Sequence, residues 1–252
     1  MMFIKWMLDC AEVKGMIIPA EEFNFKPPTA IVRARRVLIK PYAPFPTPYP
    51  TTVGRETLAK IVEAIRRVTD ADILFLEGNP EGKPMSPIYK DLGYSFPRVM
   101  TLDVRDSLLI EIDNPLAKPY ALPSVWVPNV ILSCDYWISI SPYIVRSQIP
   151  QFTIYNLLGL LPTKKYRRSE LEILGMDRVI ADIYFTLPFD LGIIDARKKL
   201  IMDEGINPKK IEDMGKVFMG DPFEIDSEAV LLSGLKPEFI ELIKAGKIEL
   251  ES

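Results

Sequence analysis

Histidine is absent from the 252-residue chain, and cysteine occurs only as Cys10 and Cys134. Without imidazole there can be no histidine general base, no Ser-His-Asp arrangement and no His-ligated metal. Proton transfer is left to Asp, Glu, Lys, Tyr, Cys or water. Two cysteines without CxxC spacing cannot supply the roughly four thiolates of an intrinsic iron–sulfur cluster, nor a Cys/His structural zinc site. They fit a reducing cytoplasmic setting, with a Cys10–Cys134 bridge left open. Neither thiol has a histidine partner, and Cys134 stands among apolar residues that disfavour the thiolate, so neither reads as a nucleophile.

Long apolar runs are missing too. Residues 1–20 are broken by Lys5, Asp9, Glu12 and Lys14, so they lack the core of a signal peptide. The longest apolar stretch, 125–145, is interrupted by Pro128, Asp135 and Pro142, and no segment reads as membrane-spanning. There is no excess of positive charge: 31 Lys+Arg face 34 Asp+Glu, a formal charge of −3, which gives no global field to hold nucleic acid. Gly78-Asn-Pro-Glu-Gly82 is neither GxGxxG nor a Walker loop, so nucleotide binding has no positive motif.

What is present is the composition of a globular protein, 48% hydrophobic and 26% charged, at a length that suits one α/β domain over residues 1–252. The 23 prolines fall mostly in expected loops, a stiffening that fits a thermophile.

Residues 37–40 (VLIK) read as a buried strand stopped by Pro41, and five prolines over 41–50 read as a stiff connector or cleft wall. Leu58, Ile61, Val62 and Ile65 place an amphipathic helix over 52–68. Residues 71–77 (ADILFLE) follow as a strand, which completes a βαβ unit and demands a parallel sheet. Further expectations are a helix over 86–94, a strand over 99–104, peripheral strands over 107–112 and 126–127, and a strand over 136–143 that ends at Pro142. Then come a loop over 144–151, helices over 152–161 and 169–183 with a Ser169/Glu172 capping box, and strands over 191–195 and 216–219. Helices over 226–234 and 237–245 close the chain. The fold expected is α/β, a largely parallel sheet with helices on both faces and some peripheral antiparallel strands.

Val37-Leu-Ile-Lys-Pro41, Pro50-Thr-Thr52 leading into a helix, and residues 71–78 resemble in order the opening of domain of unknown function 362. Residues 135–142 are similar to that family's strand before a basic loop, and Tyr155-Asn-Leu-Leu-Gly159 to its Lys-Asn-x-x-Gly segment. Leu191-Gly-Ile-Ile-Asp-Ala196 and Gly220-Asp-Pro-Phe-Glu-Ile-Asp226 resemble its Ile-Ile-Asp and Asp-Pro-x-x-x-Asp motifs. The resemblance spans residues 36–235. The chain departs from it in two places: Tyr143-Ile-Val-Arg-Ser-Gln148 replaces Lys-x-Lys-Thr-His, and Tyr155 stands where the family has lysine. Family members often carry a ferredoxin-like segment, for which this chain has no cysteines. The family is distantly similar to the N-terminal domain of nickel-pincer lactate racemases, whose histidines are absent here.

In open α/β sheets ligands sit outside the carboxyl ends of strands. Asp195 and Asp221 there are expected catalytic groups, and with Asp226 they form an oxygen site suited to Mg²⁺ or Mn²⁺. The alternative for Asp221 and Asp226 is a turn and a helix cap. Lys40, within an apolar run, is a further catalytic candidate or anion contact, against a lysine reaching for water. Arg146 suits two-point contact with carboxylate or phosphate. Asn156 reads as a ligand-orienting amide or a cap, and Glu77 as a substrate-side general base or a turn acceptor. Lys164-Lys-Tyr-Arg-Arg168 is the one dense basic run, a minor RNA-contact reading against a solvated loop.

These residues suggest an enzyme that takes a small anionic ligand, with a divalent metal or Asp acid–base chemistry. The rival is a non-catalytic binding or assembly protein on a degenerate scaffold. No membrane partner is expected, and self-association is left open.

Overall fold

The computed structural model describes residues 15–203 and 208–251. Cys10, and with it the open Cys10–Cys134 pairing, lies outside these residues, as do most of residues 1–20.

In chain order, β1 (Met16–Pro19) and α1 (Thr29–Arg33) precede β2 (Arg36–Pro41), α2 (Arg55–Val68) and β3 (Asp72–Glu77). The last three form the expected βαβ unit, with β2 and β3 parallel and Ile39 opposite Phe75. Leu58, Ile61 and Ile65 of α2 are fully buried, each contributing about 1.5–3 kcal/mol by leaving water. After α3 (Met85–Asp91), β4 (Val99–Asp103) pairs with β3 in parallel.

The chain then leaves the sheet. β5 (Leu109–Asp113) and β6 (Ser124–Pro128) form a separate antiparallel pair. β7 (Tyr136–Arg146) re-enters on the other side of β2, again parallel, and turns into β8 (Ile149–Gln151). After α4 (Thr153–Asn156), α5 (Arg168–Leu174) and α6 (Met176–Thr186), β9 (Leu191–Met202) runs parallel to β7. β10 (Pro208–Gly220) folds back against β9, and β1 pairs with β10, both antiparallel. α7 (Pro222–Ser233) and α8 (Glu238–Glu251) end the chain. The large sheet has the order β1-β10-β9-β7-β2-β3-β4, with β8 attached to β7. The architecture is α/β, as expected.

Successive residues of a strand point to opposite faces, and the core divides accordingly. Val37, Ile39, Ile73, Phe75 and Ile138 join one apolar cluster with residues of α2, α3, α7 and α8. Leu38, Leu74, Leu76 and Trp137 join a second, closed by β5–β6, Leu171 of α5 and Val179 and Ile183 of α6.

Several expected boundaries need correction. Pro142 does not stop its strand, because β7 is accommodated there by a register shift against β9 between Pro142 and Tyr143. Arg146 is therefore a strand residue rather than part of a loop. The loop itself is only Ser147 and Gln148, both at positive φ, 47° and 66°, as a two-residue hairpin turn requires. The single helix expected over 169–183 is two, broken at Gly175 with φ 92°. At its start Glu170, not Glu172, accepts from the Arg167 N–H. The helix over 152–161 shrinks to α4 followed by a 3₁₀ turn, Leu157–Leu160. The helix expected from 226 begins at Pro222. The last two core strands are far longer than expected and form the β9–β10 hairpin.

Candidate functional site

The chain leaves β2 for β3 on one side and returns to it as β7 on the other, so β2 and β7 flank the point where strand order reverses. A crevice at the carboxyl ends of strands follows from such a reversal. A cavity of about 360 Å³ lies there, and among its walls are Lys40, Glu77, Arg146, Gln151, Tyr155 and Asn156. Four residues singled out from the sequence, Lys40, Glu77, Arg146 and Asn156, thus come together.

Lys40 and Glu77 end neighbouring parallel strands and form an ion pair at 2.7 Å with both side chains 1% exposed. Lys40 Nζ also donates to Asn156 Oδ1 at 2.6 Å. Glu77 accepts from the Ala43 N–H at 2.8 Å and the Gly78 N–H at 2.9 Å. Asn156 Nδ2 in turn donates to the Lys40 carbonyl at 2.9 Å and to Ser139 Oγ at 3.0 Å. Every member is satisfied, which is the condition under which a buried polar network is tolerated. Burial pushes the Lys40 pKa down, against the pull of Glu77. It pushes the Glu77 pKa up, against Lys40 and the two amides. The two groups are moved toward one another, which makes the pair a group that can hand over a proton.

Asn156 and Gly159 are one helical turn apart and meet Lys40 from two sides. A Cβ on Gly159 would overlap Glu77 Oε1 and stand 2.8 Å from Lys40 Nζ, while one on Gly78 would come 2.6 Å from the Gly159 carbonyl. The Asn-x-x-Gly spacing is thus the spacing that closes this turn over the ion pair. Gly159→Ala should destabilise the fold by about 1–3 kcal/mol through overpacking. The check is a urea midpoint, and an unchanged midpoint would mean that the turn has room to move.

Another part of the lining is a chain of polar side chains. Tyr42 donates to Gln151 Oε1 at 2.9 Å, Gln151 Nε2 donates to the Tyr155 hydroxyl at 3.0 Å, and Arg168 donates to the same oxygen at 2.8 Å. Arg168 is paired with Glu172 at 2.8 Å. Arg146 differs. Its Nε is buried with no hydrogen-bond partner, its Nη2 reaches only Met202 Sδ at 3.3 Å, and it makes no ion pair among the described residues.

The three aspartates do not line this cavity. Asp195 lies inside β9, fully buried, where Arg197 grips both its oxygens and Thr57 donates to it at 2.6 Å, which anchors the start of α2 to the sheet. Asp221 is the N-cap of α7, accepting from the Phe223 and Glu224 amides at 2.9 and 3.0 Å. Asp226, also fully buried, accepts from the Thr153 N–H and Oγ and from the Ile154 N–H, so it caps α4 from a distance. Among the described residues no three His, Cys, Asp or Glu side chains are grouped to hold a metal ion. The expected Mg²⁺ or Mn²⁺ site of Asp195, Asp221 and Asp226 is therefore absent from this arrangement, because each carboxylate is taken up by donors of its own element or its neighbour.

Part of the basic run is likewise engaged. Lys165 stands over the Trp126 ring at 4.1 Å, the Tyr166 hydroxyl accepts from the Trp126 N–H, and Arg168 faces the cavity. Tyr42 and Gln151 escaped the reading of the sequence; Tyr155 and Gly159 entered it only through the Asn-x-x-Gly segment and Arg168 only through the basic run, none of them as a site residue.

No helix among the described residues is long and apolar enough to cross a membrane. No curated protein matches the chain. The family model described as Domain of unknown function (DUF362) matches residues 37–230, more than half of the chain, within which lie Lys40, Glu77, Arg146, Asn156, Gly159 and Asp226. The chain belongs to that family.

Proposed function

We propose that the chain binds a small organic anion, a carboxylate or phosphate, in the cavity at the carboxyl ends of β2, β3 and β7. Arg146 is the anion contact. The observation behind this is its guanidinium, which lines a cavity with a buried Nε that has no partner, and no compensating carboxylate, among the described residues. A charged donor withdrawn from water without a partner is costly, and a ligand oxyanion offsets that cost by two-point contact. Lys40 and Glu77 then serve as the proton-transfer couple in a chain without imidazole, and Asn156 holds the lysine in place.

Binding without turnover is the second reading, favoured by the filled contacts of the pair. Both Glu77 oxygens already accept backbone amides, so the pair also works as a brace for the cavity floor.

Calorimetric titration with small carboxylates and phosphates tests the first reading. Binding to the wild-type chain is expected, and Arg146→Ala should weaken it at least roughly tenfold, the loss of a charge-assisted contact. Equal affinity in the variant would remove Arg146 from the site. Glu77→Gln should keep binding and abolish turnover if the pair moves a proton.

A further inference from the structure

We infer that the charged end of the ligand is a singly charged carboxylate, held by Arg146 together with the Tyr42–Gln151–Tyr155 hydrogen-bond chain. This rests on the reading of the cavity as an anion site and narrows it by charge and by donor count.

Charge comes first. Among the described residues, the ionisable Lys, Arg and Glu side chains lining the cavity are Lys40, Arg146, Arg168, Glu77 and Glu172. Lys40 is paired with Glu77 and Arg168 with Glu172. One positive charge, that of Arg146, is left over. A monoanion balances it, whereas a dianion would leave one negative charge unbalanced beside two carboxylates in a partly dehydrated space.

Donor counting points the same way. Tyr155 oxygen receives hydrogen bonds from Gln151 and Arg168, and its own hydrogen has no acceptor among the described residues. If the Gln151 amide is turned over, as its two ends permit, Tyr155 donates to the amide oxygen and the amide nitrogen to Tyr42. The Tyr42 hydrogen is then the one left over. In both arrangements one phenol hydrogen and one amide hydrogen lack an acceptor. Burial raises the Tyr42 pKa, which keeps that hydroxyl a donor.

These donors share a side with Arg146. Gln151 opposes Ile144 and Arg146 opposes Ile149 on the β7–β8 hairpin, so Arg146 and Gln151 project from the same face as diagonal neighbours. A planar carboxylate can take the guanidinium on one edge and the surplus phenol or amide hydrogen on the other. Phe45, Leu158 and Leu161 form an apolar part of the lining, suited to an uncharged body.

The test compares acetate, benzoate and phenyl phosphate by calorimetry at fixed ionic strength near neutral pH. Benzoate and phenyl phosphate share a ring and differ in charge. Acetate and benzoate should bind, with phenyl phosphate at least roughly tenfold weaker than benzoate. The Tyr42→Phe/Tyr155→Phe double variant should lose about tenfold or more in benzoate affinity, the equivalent of one hydrogen bond to a charged group. Tighter binding of phenyl phosphate than of benzoate would overturn the carboxylate assignment on the wild-type chain alone. Unchanged benzoate affinity in the double variant would overturn the part given to the tyrosines. Failure of all three probes to bind, or binding indifferent to Arg146→Ala, would instead sink the anion-site reading itself.

Discussion

Replacing Lys40 by methionine should lower the stability of the chain by about 3–5 kcal/mol, the cost of leaving one member of a buried ion pair without its partner. That is a large part of the roughly 5–15 kcal/mol by which folded domains exceed their unfolded states. Glu77 would keep its two amide contacts but lose the cation 2.7 Å away, at 1% exposure. Its carboxyl would have to be protonated or hydrated to remain. Lys40→Met/Glu77→Gln should recover most of the loss, because no uncompensated charge is then buried. Denaturant midpoints of the wild type, the single variant and the double variant decide this. A single variant as stable as the wild type would mean that water reaches the pair.

Asp226→Ala should cost about 2–4 kcal/mol, since two backbone amides and a hydroxyl lose their acceptor in the interior. The loss should also loosen α4, which carries Tyr155 and Asn156 into the cavity wall. The same carboxyl carries a pH signature. Burial lifts its pKa to about 7, against the Thr153 and Ile154 hydrogen bonds and with a further push from Asp221. A carboxyl whose folded pKa lies above its unfolded value favours the folded state while protonated. Its contribution is full below the unfolded value and is lost as pH rises toward about 7. Asp226→Asn does not titrate, so its stability should fall less than the wild type's between about pH 4 and about pH 7. Identical pH dependence in both proteins would assign the titration to another group.

The core strands and α2 were legible because their signals are local. Residues 37–40 and 71–77 are short apolar runs closed by Pro41 and by Gly78, and Leu58, Ile61 and Ile65 recur at helical spacing. The outer half of β10 was not legible, because its residues are mostly exposed and carry charge instead of apolar alternation. Lys198 pairs with Asp213 and Lys199 with Glu212 across the strands, a pattern that reads as a solvated loop until the partner strand is known. Pro142 misled for a different reason: a proline inside a strand needs an irregular ladder, and the ladder belongs to β9.

The site divides along the same line. Lys40 and Glu77 stood out as ionisable groups at the ends of apolar strands, and Asn156 through its motif. Asp195 stood out equally but is neutralised by Arg197, two residues on and on the same side of its strand. That neighbour is visible in the sequence, but its grip on Asp195 is not. Gln151 and Tyr155 are four residues apart, but Tyr42 lies 109 residues from Gln151, and nothing in the sequence says that their polar tips touch.

The contacts tying the Lys40–Glu77 pair to the rest of the chain span long sequence distances: 34 residues from Ala43 to Glu77 and 116 from Lys40 to Asn156. Such contacts form only after the loops between them have been closed, so the cavity floor belongs to the late part of assembly. The energy lost in Lys40→Met then appears as faster unfolding with a nearly unchanged refolding rate, so this polar floor sets the lifetime of the native state more than the speed of reaching it.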